Sequence, residues 1–370
     1  MCISSDGEVF SCGAISNGVH GLEEESVFPF KKITSLKNIK SISCSGEQTM
    51  CLDYNGNVFI FGSNHYGKLG IGKYANTLRF THEPQKIDLP PIREVCCGSF
   101  FNICLSEDGE VFSFGRNSKG ELGLGNNVDY NLPQKIESLK DVDFIECGID
   151  FSFAKCNNAV YCWGNNTKGQ LGNGNTTNIN EPTKCNNWPD DVIDIKCGSA
   201  HTLVLTSTQE VYSCGDPLYG SLGRICEFVS ESTELKKIDC LSEIIKIECG
   251  WSSSMCVDIH GSIFVFGDNH NGQLGLIHDE IERITVFSIK QTTPIKNPSL
   301  SNIIDISKGG KHTFVKTSNN EIYAFGYNKY SQLGIKTEHE NQITPIRVFE
   351  DKEDIWFSNI NKSNAKSARF

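Results

Sequence analysis

The stretch YCWGNNTKGQLG, from Tyr161 to Gly172, decides the fold, because versions of it return along the whole chain. Each copy closes an apolar run with a glycine, and these glycines are Gly13, Gly62, Gly115, Gly164, Gly215, Gly267 and Gly326. The successive spacings are 49, 53, 49, 51, 52 and 59 residues. A period of about fifty residues is typical of repeat architectures, in which each unit stacks on its neighbours. We therefore expect one continuous domain over residues 1–370.

The run before each glycine predicts a strand. β-Branched residues occupy one set of alternate positions: Val9, Val58, Val111, Val160, Val211, Ile263 and Ile322. Aromatic residues occupy the other: Phe10, Phe59, Phe112, Tyr161, Tyr212, Phe264 and Tyr323. This alternation, bounded by D-G, N-G or N-N turns, predicts β-hairpins. Both faces are apolar and no segment has helical periodicity, so other sheets must cover each sheet, as in a propeller.

The repeats divide the chain into six complete units and one partial unit. The complete units span about residues 44–96, 97–146, 147–196, 197–248, 249–307 and 308–358. The partial unit occupies residues 1–43, since MCISSDGEVFSCG (Met1–Gly13) matches MCLDYNGNVFIFG (Met50–Gly62). Either both ends of the chain combine in one split blade, giving seven, or the sequence lacks the start of its first repeat. Residues 359–370 are predicted to be a flexible tail.

The composition favours a soluble folded protein. Hydrophobic residues make up 38% and aromatic residues 10% of the sequence, with no apolar run long enough to span a membrane. The net charge of −11, without a run of Lys or Arg, disfavours direct nucleic-acid binding. The start, MCISSDGEVF, lacks the regions of a signal peptide. We expect a monomer in the cytoplasm or nucleus, not a secreted protein.

The 17 cysteines recur in columns rather than in a disulfide pattern. The columns are Cys44, Cys97, Cys147, Cys197 and Cys249; Cys2, Cys51, Cys104, Cys156 and Cys256; and Cys12, Cys162 and Cys214. Recurrence on strands is typical of a small buried hydrophobe. No C-x-x-C pair indicates zinc or redox chemistry. We predict reduced structural thiols, with no metal or cofactor.

The repeat resembles that of the regulator of chromosome condensation family. The residues that carry the resemblance are CGSAHTLVL (Cys197–Leu205), DGEVFSFGRNSKGELG (Asp108–Gly123) and VFGDNHNGQLG (Val265–Gly275). The resemblance covers nearly the whole chain, with the motif at the corresponding place in each repeat. It implies a seven-bladed all-β propeller of four-stranded antiparallel blades. Members of this family include an exchange factor for the small GTPase Ran, interaction modules, parts of ubiquitin ligases, ciliary scaffolds and a plant ultraviolet receptor.

The resemblance places partner contacts at the turn after each Cys-Gly. The turn residues are Glu47-Gln48, Phe100-Phe101, Asp150-Phe151, Ala200-His201, Ser252-Ser253 and Lys311-His312. Only two of these pairs keep a histidine and only two keep an acid, which weakens the case for exchange of nucleotide on Ran. Fold alone does not determine function. The predicted partner-binding residues are Glu47, Gln48, Phe100, Phe101, Asp150, Phe151, His201, Trp251, Lys311 and His312.

Each candidate also has a structural explanation. His201 and His312 either satisfy backbone groups at the turn or contact a partner. Four aromatic residues either pack in the core or form an anchor cluster at an interface: Phe100, Phe101, Phe151 and Trp251. Aromatic side chains supply much of the binding energy at interfaces. The long interval from Leu276 to Asn302 is either a solvated loop or a binding element.

No catalytic pattern stands out. The sequence has no G-x-S-x-G, no H-E-x-x-H and no P-loop. The tryptophans fall in different registers, which argues against a clustered light sensor: Trp163, Trp188, Trp251 and Trp356. We therefore predict a non-enzymatic propeller that binds a protein partner. The alternatives are an exchange factor for a small GTPase and the repeat part of a larger ligase or kinase scaffold.

Overall fold

The structure, a computed structural model, describes residues 1–13, 16–23, 27–72, 78–226, 229–276, 290–348 and 355–356. These residues form seven four-stranded antiparallel sheets, each contributing one blade of a propeller. The described residues also include the short 3-10 turns Ser16–Gly18, His65–Gly67 and Val229–Ser232. No helix in the described ranges is long and apolar enough to cross a membrane. The predicted fold class and blade number are confirmed.

The strands follow the chain blade by blade. The chain begins in the closing blade with β1 (Cys2–Ser4), β2 (Val9–Gly13) and β3 (Val27–Lys32). Blade 1 contains β4 (Ile39–Ser45), β5 (Gln48–Asp53), β6 (Val58–Ser63) and β7 (Phe80–Lys86). Blade 2 contains β8 (Ile92–Cys97), β9 (Phe101–Ser106), β10 (Val111–Gly115) and β11 (Tyr130–Lys135). Blade 3 contains β12 (Val142–Cys147), β13 (Phe151–Cys156), β14 (Ala159–Gly164) and β15 (Ile179–Lys184).

The remaining blades repeat this order. Blade 4 contains β16 (Val192–Cys197), β17 (His201–Thr206), β18 (Val211–Gly215) and β19 (Lys236–Lys237). Blade 5 contains β20 (Ile244–Cys249), β21 (Ser253–Asp258), β22 (Ile263–Asp268) and β23 (Lys290–Lys296). Blade 6 contains β24 (Ile303–Lys308), β25 (His312–Thr317), β26 (Ile322–Tyr327) and β27 (Asn341–Val348). The last strand, β28 (Ile355–Trp356), returns to the closing blade.

Strands in blades 1 to 6 run in chain order from the axis outward, and we call them inner, second, third and outer. Inner strands of neighbouring blades contact one another around the axis. The closing blade joins both ends of the chain, because β28 pairs with β1 through Ile3–Trp356 and Ser4–Ile355. The predicted repeat limits cut across blades: β12 begins at Val142, five residues before the limit at Cys147.

The core consists of seven apolar clusters, one between each pair of neighbouring blades. Alternate residues of a third strand face opposite neighbours: Val160 joins the cluster between blades 3 and 4, whereas Tyr161 packs against the one between blades 2 and 3. Each cluster therefore draws side chains from two blades, which couples them. The β-branched column is buried and the aromatic column is partly buried. The expectation that both faces of the third strand pack against other sheets is confirmed.

In blades 1 to 6, the glycine that closes the third strand is required by backbone contact. Gly164 has φ +98°, and a Cβ placed on it would lie 2.6 Å from the carbonyl oxygen of Asp150. Only glycine accepts both constraints. The asparagine two residues later fixes the loop: Asn166 accepts a hydrogen bond from the Leu171 N–H (3.0 Å) and donates one to the Asn175 carbonyl (3.0 Å). The opening motif is therefore a strand and its exit turn.

None of the 17 cysteines, all of which lie in described positions, forms a disulfide. The two strand columns are buried, as predicted, while the column at the end of the inner strands surrounds the axis. Residues 277–289 of the long interval lie outside the described residues, as do the predicted tail residues 359–370.

Candidate partner-binding face

One face of the propeller, which we call the first face, carries two connections from each of blades 1 to 6. They are the turn between the inner and second strands and the loop after the third strand. A backbone hydrogen bond joins the two connections of a blade. The Arg116 N–H donates to the Phe100 carbonyl (2.9 Å) in blade 2, and the Asn165 N–H donates to the Asp150 carbonyl (2.8 Å) in blade 3. All ten predicted binding residues lie on or just beneath this face. Whether they bind a partner stays a prediction.

The two residues of each turn point in opposite directions. The first residue is partly or fully exposed in every described turn, as for Glu47, Phe100 and Asp150. The second residue begins the second strand, so its side chain enters the wall between blades. Gln48 and Phe101 are both 0% exposed. The second residue is buried in blades 1 to 5, so only the first residue of each of those pairs meets solvent, whereas in blade 6 His312 is half-buried.

Phe101 and Phe151 pack in the core rather than on a surface. A Cβ placed on Gly98 would lie 1.9 Å from the Phe101 ring, and one on Gly148 would lie 2.0 Å from the Phe151 ring. Each ring therefore lies flat over the glycine of its own turn. The Cys-Gly pair and the residue three positions later form one packing unit. The core explanation holds for these two phenylalanines, and they do not form a surface anchor.

Gln48 and His201 connect neighbouring blades. The Gln48 amide donates to the Gly98 carbonyl (2.9 Å) and to Asn102 Oδ1 (2.9 Å) of blade 2. His201 Nε2 lies 3.0 Å from the Ser254 hydroxyl, which donates to the Ser221 carbonyl (2.8 Å). The ring nitrogen is therefore the donor in the His201–Ser254 bond. His201 thus bonds a serine of the next blade, not the turn backbone.

The histidines beneath this face are neutral. Burial lowers the pKa of His201 to about 4 and that of His312 to about 3. Their imidazoles carry no charge at neutral pH. A partner would therefore meet charges supplied by other side chains, such as Lys311, which is exposed at the surface.

A cluster around Arg116 projects from the first face between blades 1, 2 and 3. Its members, which we call the Arg116 cluster, are Tyr66, Lys68, Phe100, Arg116, Glu121 and Asp150. The guanidinium lies 4.7 Å from the Phe100 ring centre and 5.8 Å from that of Tyr66. These two rings meet edge to face at 5.4 Å. Cation–π contacts and ring packing of this kind fix the orientation of all three side chains.

Charge balance holds the Arg116 cluster in place. Arg116 Nε donates to Glu121 Oε1 (2.8 Å), and its terminal nitrogen pairs with Asp150. Burial raises the pKa of Glu121 despite this hydrogen bond. Tyr66 has φ +61°, an uncommon conformation for a residue with a side chain. The Tyr66 ring is 50% exposed beside the guanidinium.

A second exposed aromatic residue lies across the face in blade 5. Trp251 is 48% exposed and rests on Gly310 of blade 6, where an added Cβ would lie 2.5 Å from the indole. The Lys311 ammonium lies 6.0 Å from its ring centre. Trp251 N–H donates to the Gly310 carbonyl (3.1 Å), and its own carbonyl accepts from Ser199 N–H (2.9 Å). The backbone thus fixes Trp251 between blades 4 and 6.

Sequence reasoning missed several exposed side chains of this face. Tyr66, Tyr219 and Tyr330 occupy the same position of the loop after the third strand, where other repeats have lysine or asparagine. Their exposures are 50%, 41% and 52%. Comparing the repeats at this loop position, and not only at the turn, would have found them. Arg116 follows the glycine that serves as the alignment marker, and nothing local indicates its contacts.

The propeller axis encloses a cavity of about 320 Å³ lined by the ends of the inner strands. Its thiols bond backbone groups: Cys97 Sγ donates to the Ser43 carbonyl (3.3 Å) and Cys249 Sγ to the Lys196 carbonyl (3.4 Å). Burial raises the pKa of both thiols well above the ordinary value. A protonated thiol is a poor nucleophile, so this arrangement favours packing.

Buried charges also surround the axis. Lys196 Nζ pairs with Glu146 (3.2 Å) and Asp194 (3.0 Å). Burial raises the pKa of Glu248, which lines the cavity, and that of the nearby Glu94 to about 8. In the part of the chain that the structure describes, no three His, Cys, Asp or Glu side chains form a candidate metal site.

Comparison with known families settles the origin of the repeat. The model described as "Regulator of chromosome condensation (RCC1) repeat" matches residues 55–105, 108–154, 157–205 and 260–315, more than half of the chain. The chain belongs to the regulator of chromosome condensation repeat family. A second model of the same description matches residues 92–121, 192–221, 244–273 and 303–332, which continues the repeat through the third strand of blade 6.

Curated relatives share the RCC1 repeats within longer proteins. The chain is 28% identical over 325 residues to the ultraviolet-B receptor UVR8 of Arabidopsis thaliana, covering 86% of this chain and 60% of the receptor. It is 32% identical over 290 residues to the human X-linked retinitis pigmentosa GTPase regulator, covering 74% of this chain and 28% of the regulator. Human E3 ubiquitin-protein ligase HERC2 is 28% identical, with 88% of this chain matching 7% of the ligase. The chain therefore spans part of each relative.

Two solved structures share the fold. Human WBSCR16 superposes with a TM-score of 0.81 at 20% identity, covering 94% of this chain and 98% of that chain. Prp20p from Saccharomyces cerevisiae, studied for its binding to Gsp1p and histones, superposes with a TM-score of 0.80 at 22% identity, covering 94% of this chain and 87% of that chain. At this identity the likeness concerns the fold alone.

Proposed function

We propose that this chain is a protein-interaction propeller that binds a protein partner through its first face. The Arg116 cluster is the observation that carries the proposal. It combines one arginine with two partly exposed aromatic rings, and arginine, tyrosine and tryptophan dominate binding energy at protein interfaces. The first turn residue of blades 4 and 5 is the small Ala200 or Ser252, so the fold does not require an aromatic side chain there.

The predicted site residues divide into two groups under this proposal. The surface group makes the contacts and consists of Glu47, Phe100, Asp150, Trp251 and Lys311, joined by Tyr66 and Arg116. The second group supports these from beneath the surface and consists of Gln48, Phe101, Phe151, His201 and His312. A rigid, preorganised surface loses little entropy on binding, so the buried group contributes indirectly to affinity. We place this binding inside the cell, because the 17 cysteines form no disulfide.

A comparison of surface variants tests the proposal. The tagged chain is used to capture partners from a cell extract, and each partner is quantified for wild type, for Phe100→Ala with Arg116→Ala, and for Tyr54→Ala. Tyr54 is 68% exposed in the hairpin turn at the opposite end of the strands, so it serves as a matched aromatic control. We expect the double variant to lose a partner by about tenfold or more while Tyr54→Ala retains it. Equal capture by all three proteins would refute the assignment.

A guanine-nucleotide exchange factor for a small GTPase is the second candidate. One relative is described as a GTPase regulator, and Prp20p was studied with Gsp1p. Here, Asp150 and Lys311 place an acid and a cation on the same face. The test is release of labelled GDP from a panel of small GTPases. Release that accelerates with wild type but not with Asp150→Asn would support exchange activity, and no acceleration across the panel would eliminate it.

The third candidate is the repeat part of a larger ubiquitin ligase or kinase scaffold. It is motivated by the small share of the ligase that matches this chain. An immunoblot of the endogenous protein distinguishes it from the other two. A band near 41.0 kDa contradicts a larger scaffold, and a much larger band supports it. Light sensing is not proposed, because Trp163 and Trp188 are buried in different clusters and Trp251 lies on the first face.

A further inference from the structure

The axial cavity is built in layers. Its rim consists of first-face turn residues, including Gly46, Gly198, Trp251 and Gly310, so the cavity opens toward that face. Below the rim, the wall is formed by the five cysteines at the ends of the inner strands and by Lys308 at the corresponding position of blade 6. Free cysteines behave as small hydrophobes, so most of this wall is apolar.

The layer beneath the cysteines is charged on one side. The residue before the cysteine is Ser43 in blade 1 and Cys96 in blade 2. In blades 3, 4 and 5 it is Glu146, Lys196 and Glu248. All five residues line the cavity. The charges are therefore concentrated on the wall that blades 3 to 5 form.

The Lys196 ammonium group has no donor left for a ligand. Its Nζ donates to Glu146 (3.2 Å), to Asp194 (3.0 Å) and to the Ile195 carbonyl (3.3 Å). An ammonium group has three N–H donors, and these three acceptors use all of them. Lys196 therefore offers no site for an anionic ligand.

The Glu248 carboxyl group, by contrast, is unused. Glu248 is 8% exposed and lines the cavity. No residue in the described ranges donates a hydrogen bond to its carboxyl oxygens or forms an ion pair with it. A second acceptor of the lining, the buried Gln48 Oε1 in blade 1, also has no hydrogen-bond partner. Because buried polar groups are nearly always hydrogen-bonded, both acceptors indicate a donor that enters the cavity.

The cations near Glu248 are engaged elsewhere. Lys246 of the same strand pairs with Asp305 of blade 6. Lys308 Nζ donates to the buried Thr313 hydroxyl (3.1 Å). Their charges reach Glu248 only through space, without a direct contact.

Carboxyl groups also surround Glu248. Glu146 and Asp194 are close enough to raise its pKa by their like charge. Among the described lining residues, the remaining cation is the Met1 amino group, which lies near Cys44 on the opposite wall. A cation inside the cavity would therefore find an unpaired carboxyl group on the wall of blades 3 to 5.

We propose that the axial cavity binds a small primary alkylammonium ion, whose N–H groups donate to the Glu248 carboxylate and whose alkyl chain lies against the cysteines. An anionic ligand would meet the Glu248 carboxyl group and no available donor on Lys196, and an apolar ligand would leave the acceptors unsatisfied. The ammonium group can belong to a free amine or to a lysine side chain of a protein. The proposal does not depend on the function proposed for the first face.

Ligand-observed NMR titration of the full chain tests this proposal. The ammonium probes are 1-aminobutane and N-acetyl-lysine methylamide, and the matched probes without a cation are 1-butanol and butanoate. Dissociation constants are measured for wild type, Glu248→Gln and Glu107→Gln. Glu107 is exposed in a hairpin turn at the opposite end of the strands and is the matched control. Thermal unfolding verifies that every variant is folded.

We expect at least one ammonium probe to bind wild type, and to bind Glu248→Gln about tenfold or more weakly, because charge-assisted hydrogen bonds are the strong ones. Glu107→Gln should bind like wild type. A preference for 1-aminobutane would assign the site to a free amine, and a preference for the capped lysine would assign it to a lysine side chain. Three results would overturn the proposal: no binding of either ammonium probe, equal affinity for 1-butanol, or equal affinity in Glu248→Gln.

The affinity should also rise with pH. Burial raises the pKa of Glu248 to about 8, so its carboxyl group must lose a proton before it pairs with an ammonium group. The affinity of wild type should therefore increase about tenfold between about pH 7 and about pH 9. Burial lowers the pKa of Lys308 to about 8, so this neighbour loses its charge over the same range. The increase should thus be smaller, but not absent, in Glu248→Gln, and an equal increase in both proteins would overturn the role of Glu248.

Discussion

Replacing His20 with leucine should stabilise the protein, because His20 is a buried histidine at a position that leucine fills in every other repeat. The equivalent residues are all 0% exposed: Leu69, Leu122, Leu171, Leu222, Leu274 and Leu333. His20 is 7% exposed, and both of its buried ring nitrogens lack a hydrogen-bond partner. Leaving a buried polar group unsatisfied costs about 1–3 kcal/mol. His20→Leu should therefore raise the free energy of unfolding by about that amount at neutral pH.

The gain should increase in mild acid. Burial lowers the pKa of His20 from 6.5 to about 4. Below pH 6.5 the unfolded chain binds a proton that folded His20 does not bind until the pH falls to about 4, so stability decreases through this window. At about pH 5 the linkage amounts to ~2 kcal/mol beyond the neutral-pH effect. His20→Leu removes this contribution.

Urea denaturation of wild type, His20→Leu and His65→Leu at about pH 7.5 and about pH 5 measures both effects. His65 lies on the loop at the first face with an exposed side chain, so its replacement controls for loss of a histidine from a repeat loop. His65→Leu should follow the wild-type pH dependence. A His20→Leu variant no more stable than wild type at about pH 7.5, or a difference between them that does not grow at about pH 5, would refute this role of His20.

Three further predictions concern the packing of Gly98, the hydrogen bond of His201 and the state of the thiols. Gly98→Ala should destabilise the protein by about 2 kcal/mol or more in urea denaturation, because the new Cβ would meet the Phe101 ring. Gly125→Ala should destabilise it by only about 1 kcal/mol, because the positive φ at this position is unfavourable for alanine. Equal losses of stability in the two variants would contradict the packing of Phe101 on Gly98. Ser254→Ala should cost about 1–3 kcal/mol by removing the partner of buried His201. His201→Phe should leave the free energy of unfolding nearly unchanged in the same assay, because two other repeats have phenylalanine at this position. A larger loss of stability in His201→Phe than in Ser254→Ala would show that His201 has a different role. Reaction with 5,5′-dithiobis(2-nitrobenzoic acid) should show one rapidly reacting thiol, the exposed Cys240, because buried thiols with raised pKa react slowly. A rapid phase that persists in Cys240→Ser would contradict the assignment of that phase to Cys240.

The repeat pattern predicts the fold because the same few constraints recur in every blade. In blades 1 to 6, the spacing of Gly164 and its equivalents reflects a backbone contact that only glycine permits, so aligning these glycines aligns the blades. The alternation of residues such as Val160 and Tyr161 reflects packing against two neighbours. Both constraints are local to one repeat. They can therefore be seen in the sequence without knowing which blades touch.

The site was harder to predict because its contacts join different repeats. Phe100 and Phe101 are adjacent and chemically identical, yet only Phe101 begins the strand that turns inward. Arg116 acquires its surroundings from Tyr66 and Asp150, which belong to the blades on either side. A pattern within one repeat contains no information on these contacts.

The inner strands show a similar limit. Ile193 and Ile195 both look like core residues in the run VIDI, yet Ile193 is 44% exposed and Ile195 is 0% exposed. Each inner strand has an irregular register at its start, between Val192 and Asp194 in blade 4, and this shift interrupts the simple alternation. Exposure at the second position therefore depends on strand pairing, which the sequence alone does not reveal.

Site-specific photo-crosslinking tests the proposed role of the first face most directly. p-Benzoylphenylalanine is placed at position 100, at position 101 or at position 54, each in an otherwise unchanged chain, and adducts formed in cells are resolved by mass. We expect a discrete partner adduct from position 100, and none from buried position 101 or from position 54 in the hairpin turn at the opposite end of the strands. Partner adducts from position 54 with none from position 100 would contradict the claim that this propeller binds its partner through the first face.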